Sequence, residues 1–110
     1  MIFAWDEQNR EHIAKHAVSE EEAEQVVEDA AGPYPAEIGN NKLIVWGPTD
    51  NGRLLQVIYV LKGADEVSFK SVAADDWLTI EAGTDMQIVR IIHAMDLTPA
   101  MKKRYRRRRR

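Results

Sequence analysis

Cysteine is absent from the 110-residue chain. That excludes disulfides, thiol catalysis and thiolate zinc sites, and it fits a cytoplasmic protein. No apolar run approaches the roughly 20 residues of a membrane-spanning helix, so no membrane partner is expected. The opening MIFAWDEQNR lacks the basic region and apolar stretch of a secretory signal. His12 and His16 have the i, i+4 spacing of a metal pair, but Ile13 breaks the HExxH signature and no third ligand is evident. Neither a metal nor another cofactor is expected, and a helix face packed on a sheet accounts for both histidines. Trp5, Trp46 and Trp77 are not interleaved with basic residues, as base-stacking tryptophans in single-strand binders are, so core or interface roles are expected.

What is present is enough for one small domain. Hydrophobic residues make up 45% of the chain, which excludes wholesale disorder. The net charge of −3 conceals an asymmetry. All 18 acidic residues precede residue 102, against seven basic ones, a balance of −11; residues 102–110 carry eight basic residues and no acid, a balance of +8. Such a split points to an anionic partner for the C-terminus, with RNA phosphate the obvious one and the protein's own acidic helix the alternative.

Ile2–Trp5 is short and β-prone, a first strand. Asp6 caps a helix to about His16, and Ser19 with Glu22 forms the S-x-x-E capping box of a second. Ala23, Val26, Val27 and Ala30 form its apolar stripe. Lys42–Trp46 and Arg53–Lys62 read as strands joined at Asn51-Gly52. The second is apolar on both faces, with Leu55, Val57, Tyr59 and Leu61 pointing one way, so it belongs at the centre of its sheet. Residues 63–86 read as an inserted hairpin, Glu66–Val72 against Trp77–Ala82, although Ala74–Ile80 equally fits a helical turn. Ile88–Met95 is a buried strand; Thr98-Pro99 opens a basic helix, and residues 106–110 form a basic tail. The fold class is α+β: a small, mostly antiparallel sheet, two N-terminal helices on one face, and a basic C-terminal helix.

Three blocks carry a resemblance. The first is Phe3, Trp5, Asp6 and Asn9, running on to His16, Val18, Ser19, Glu21, Glu22 and Ala23; the second is Lys42 to Gly47, Thr49 and Gly52 to Leu55; the third is Arg90 to Ala94 with the basic helix ending near Tyr105. In order and spacing, the chain resembles the BrnT-type toxins of bacterial type II toxin–antitoxin systems. The resemblance covers most of residues 1–105 except about 63–86. It implies a compact RelE-like fold, metal-independent cleavage of mRNA, and a cognate antitoxin that also binds DNA; it admits a homodimer within a toxin–antitoxin complex. The family's third block usually ends in arginine, where Met95 stands here. The alternative is therefore a weak or inactive module that binds antitoxin or RNA without cleaving it.

Cleavage through the 2′-hydroxyl requires a proton acceptor, cations on the phosphate and an acid for the leaving oxygen. His93 is the candidate for proton transfer, since histidine titrates near neutrality; a packed histidine is the alternative. Arg90 and His93, an odd number of residues apart, face opposite ways in a regular strand. Arg53 and Lys102 are therefore the catalytic cations expected beside His93, and Arg90 is assigned a structural ion pair with an acidic helix. Lys42, Lys103, Arg104 and Arg106 are the expected RNA contacts.

Overall fold

Two reciprocal caps organise the N-terminal third of the protein, a computed structural model describing residues 1–83 and 86–108. Before helix α1 (Glu7–Ala14), the Asp6 carboxylate accepts the Asn9 backbone N–H while the Asn9 side chain accepts that of Asp6. Ser19 and Glu22 repeat the arrangement before α2 (Glu20–Glu28). Each box satisfies two N–H groups that a helix start would leave unpaired. Ile13 of α1 and Ala23, Val26 and Val27 of α2 are buried.

These helices pack on a five-stranded sheet in the order β1–β5–β4–β3–β2, with β1 Ile2–Phe3, β2 Ala36–Glu37, β3 Lys42–Pro48, β4 Leu54–Lys62 and β5 Ile88–Asp96. As its two apolar faces require, β4 is central. The α+β class and the two N-terminal helices are as expected. The sheet itself is mixed: β1 runs parallel to β5, pairing Ile2 with Ile88 and Phe3 with Val89, while the other pairs are antiparallel. Parallel neighbours are joined by long crossovers, so no local turn signal announces them.

Register assigns the faces, because directly paired residues share one. Val45, Leu55, Val57, Tyr59, Val89, Ile91 and Ala94 join Ile13 and the α2 stripe in the main core. The other face carries Lys42, Ile44, Trp46, Gln56, Ile58, Val60, Arg90, His93 and Met95. Its far end is covered by a smaller core of Ile2, Ala4, Val72, Ile80 and Ile88. Its near end meets α4 (Pro99–Arg108): Tyr105 stacks on Tyr34 at 6.4 Å, and the Arg104 and Arg108 guanidinium carbons lie 5.5 and 5.6 Å from the Trp46 ring centre. Between them Ile58, Val60 and Met95 belong to neither core and stay half-exposed.

Among the described residues of this region, 63–83 and 86, the expected hairpin does not form, and the helical alternative at Ala74–Ile80 does. Two short 3-10 turns, Ala64–Glu66 and Phe69–Ser71, lead into α3 (Ala74–Glu81). Asp75 and Asp76 favour a helix at its positive end, and Trp77 and Ile80, one turn apart, both reach the smaller core. The segment buries Val72 and Ile80 without pairing strands. Of the expected basic tail, 106–108 belong to α4, and 109–110 lie outside the described residues. Among the described residues no helix is long and apolar enough to cross a membrane.

Candidate acid–base site

Three histidines converge at the edge of β5. The His93 Nδ1 lies 3.5 Å from His12 Nε2, the outer limit of hydrogen-bond reach. The His16 ring centre is 5.3 Å from that of His93 and 6.5 Å from that of His12. His12 and His16 are exposed and His93 is half-buried. Burial, and then the proximity of His16 and His12, push the His93 pKa below that of an ordinary histidine.

A β-bulge makes the meeting possible. On β4, Ile58 pairs with His93 and the next residue, Tyr59, pairs with Ile91; Ile92 is the unpaired extra residue. The odd spacing that puts Arg90 and His93 on opposite faces of a regular strand thus puts them on one face here. Both then address α1. Arg90 Nη1 donates to Asp6 at 2.6 Å, the expected structural ion pair, made with the helix cap. Asn9, 2% exposed, fixes α1 beside the bulge: its Nδ2 donates to the carbonyls of Ala4 and Ile91 at 3.1 and 3.0 Å.

The turn after α1 delivers His16. The Ala17 N–H bonds the Ala14 carbonyl and the Val18 N–H that of Ile13, with Ala17 at φ +55°, a Schellman-type ending. Arg53 locks it. Its Nη1 donates to the Ala17 carbonyl at 2.8 Å and to Glu22 at 3.1 Å, its Nη2 to the His16 carbonyl at 3.2 Å, and its Nε and Nη2 grip Asp96 at 2.7 and 2.9 Å. A guanidinium has five N–H donors, and this set engages all of them. Arg53, expected as a phosphate cation, has its donors taken up by the turn, Glu22 and Asp96. Its carboxylate partners respond: Asp96 is held below the usual carboxylate range, chiefly by its bond to Arg53, with the charges of Lys102 and His16 adding to it.

Lys102, half-buried in the first turn of α4, acts on Asp96. Lys103 and Arg106 are exposed on α4, and Arg104 lies over Trp46. Lys42 is not gathered with them. It starts β3, four residues or about 13 Å from the Trp46 end where α4 docks. The sequence reading missed His12 and His16 as site residues. Their i, i+4 spacing was visible, but the rings stand exposed around His93 instead of packing on the sheet. Among the described residues no group of three or more His, Cys, Asp or Glu side chains is arranged to hold a metal ion. No protein-family model, no curated protein and no solved structure matches the chain.

Proposed function

We propose that the protein is a metal-independent endoribonuclease that cleaves mRNA, the toxin subunit of a bacterial type II toxin–antitoxin pair acting in the cytoplasm. The observation that carries the chemistry is the solvent-accessible pair His93–His12, with Nδ1 and Nε2 3.5 Å apart. Two imidazoles within reach of one phosphodiester divide the proton transfers that cleavage needs. His93, biased to the neutral form, takes the proton of the 2′-hydroxyl. The oxygen attacks phosphorus, the P–O5′ bond breaks, and His12 as imidazolium protonates the departing 5′-oxygen. A 2′,3′-cyclic phosphate and a 5′-hydroxyl result, with no metal or redox partner. Lys102 and the cations of α4 hold the phosphates, while the half-exposed tract of Ile58, Val60 and Met95 offers bases an apolar floor. The three sequence blocks support the toxin assignment and the DNA-binding antitoxin as partner.

The test is incubation of purified protein with RNA in chelator. The expected outcome is cyclic-phosphate ends, lost in His93→Ala and in His12→Ala, and growth arrest on expression that an antitoxin gene relieves. The engagement of all five Arg53 donors, together with Met95 where the resemblance expects arginine, favours a second reading: a module that binds antitoxin or RNA without cleaving it. Intact RNA at excess wild-type protein, with binding retained, would decide for that one.

A further inference from the structure

The region outside the three sequence blocks exposes apolar surface at the end of the molecule away from α4. Phe69 is 61% exposed and Leu78 64%. The Phe69 ring packs edge-on against Trp77 at 6.2 Å. Asp65, Asp75 and Asp76 lie in the same segment, and none is in an ion pair among the described residues. At the other end, the exposed Lys103, Arg106 and Arg107 of α4 are likewise in no ion pair among the described residues. With exposed Lys70 counted beside five acids, residues 63–83 remain net acidic, so two surfaces of opposite net charge sit on one chain.

They do not meet within it. The acidic segment leaves β4 after Lys62, which pairs with Ile88, whereas α4 follows Asp96, which pairs with Leu55. Seven residues of strand separate these rows, about 23 Å. The ten-residue α4 spans about 15 Å and is held at its own end by Tyr105 on Tyr34 and by two arginines on Trp46. The molecule is 43 Å along its longest axis.

We propose that the Phe69–Trp77–Leu78 patch is the docking site for the basic helix α4 of a second copy of this chain. Arg104 and Arg108 already show how this helix engages an indole, by laying guanidinium groups over the Trp46 ring. In the second copy's helix, Arg106 and Arg107 stack on Phe69 and Trp77 and pair with Asp75, which stands one turn before Leu78 on the same side of α3. The contact is head-to-tail, so each copy keeps one free end and the assembly extends rather than closing as an isologous dimer does. The proposal does not rest on the ribonuclease reading.

Sedimentation velocity on the full chain tests it. At about 0.05 M salt the average mass should rise with protein concentration, and at about 0.5 M salt it should fall to that of the monomer, because the attraction is between exposed charges. Two variants then separate head-to-tail contact from any other. Phe69→Ser/Leu78→Ser removes the patch and leaves α4 intact; Arg106→Glu/Arg107→Glu does the reverse. All four positions are exposed, and circular dichroism verifies the fold of each. Each variant alone should be monomeric, and an equimolar mixture should give a one-to-one dimer and nothing larger, since the mixture holds one working copy of each surface. A monomeric wild type, a variant that still associates alone, or a mixture that stays monomeric overturns the proposal.

Discussion

Arg53 and His93 show how far a side chain's surroundings set its role. A cation at the start of a strand beside a histidine suits phosphate binding, but every donor of Arg53 is bound to the α1–α2 turn, to Glu22 or to Asp96. Arg53→Gln strands two carboxylates and two carbonyls, and should cost about 2 kcal/mol in urea unfolding. Arg53→Lys should not restore this, because an ammonium cannot reproduce the fork. Abolished cleavage with unchanged unfolding would return Arg53 to the phosphate. For His93 the folded pKa lies below the unfolded one, so between the two values the unfolded chain binds more protons. The stability His93 contributes is present above about pH 6.5 and lost as pH falls through its folded pKa. Urea midpoints measured from about pH 8 down to about pH 5 should fall for the wild type and fall less for His93→Gln.

At the level of elements, α1 and β5 form the site together, and Asn9 is what joins them. It makes three bonds from a nearly water-free position, to the Asp6 N–H and to the carbonyls of Ala4 and Ile91. Asn9→Ala should destabilise by about 2–3 kcal/mol through those orphaned groups. It should also reduce cleavage beyond what stability explains, because His12 rides on the same helix one turn on. Activity measured well below the unfolding transition checks the second half; full activity there would show that α1 keeps its place without Asn9. The Asp6 cap and the Ser19–Glu22 capping box were legible in the sequence, since a cap is a contact between residues three apart; the return bond from Asn9 was not read there. The α2 stripe was legible, and so was the alternation of β4. The bulge at Ile92 was not, because nothing within Ile88–Asp96 states which residue the neighbouring strand will skip. Residues 63–86 misled for a related reason: alternation over a few residues fits a strand or a set of turns equally, and the smaller core decided.

Across the whole molecule, part of the charge split becomes a polarity along the strands, while 9 of the 18 acidic residues lie at 6–29, on and beside α1 and α2. The cations of α4 gather at the end where the histidines lie, and the acid-rich residues 63–83 occupy the other. Salt dependence reads this directly. Removing residues 106–110 should reduce the salt slope of RNA binding by about 0.7 for each phosphate that is no longer neutralised, as measured by titrations at several salt concentrations. An unchanged slope would take those arginines away from the RNA. Acid acts on the fold through Asp6, Glu22 and Asp96, all held below the usual carboxylate range. Arg90 does so chiefly for Asp6, the Ser19 backbone N–H for Glu22, and Arg53 for Asp96.

From its own order the chain determined the helix starts, the apolar stripe, the central place of β4, the hairpin turn at Asn51-Gly52 and the segregation of charge. Each of these is settled by residues within a few positions of one another, or by composition. Only the tertiary structure decided that β1 joins β5 in parallel, that Arg53 serves the turn carrying His16, and that His12, His16 and His93 share one edge of the sheet. Residues 81 positions apart meet there because a single extra residue in β5 turns His93 towards α1. Such a shift is fixed by pairing and packing across the sheet, which no local pattern encodes.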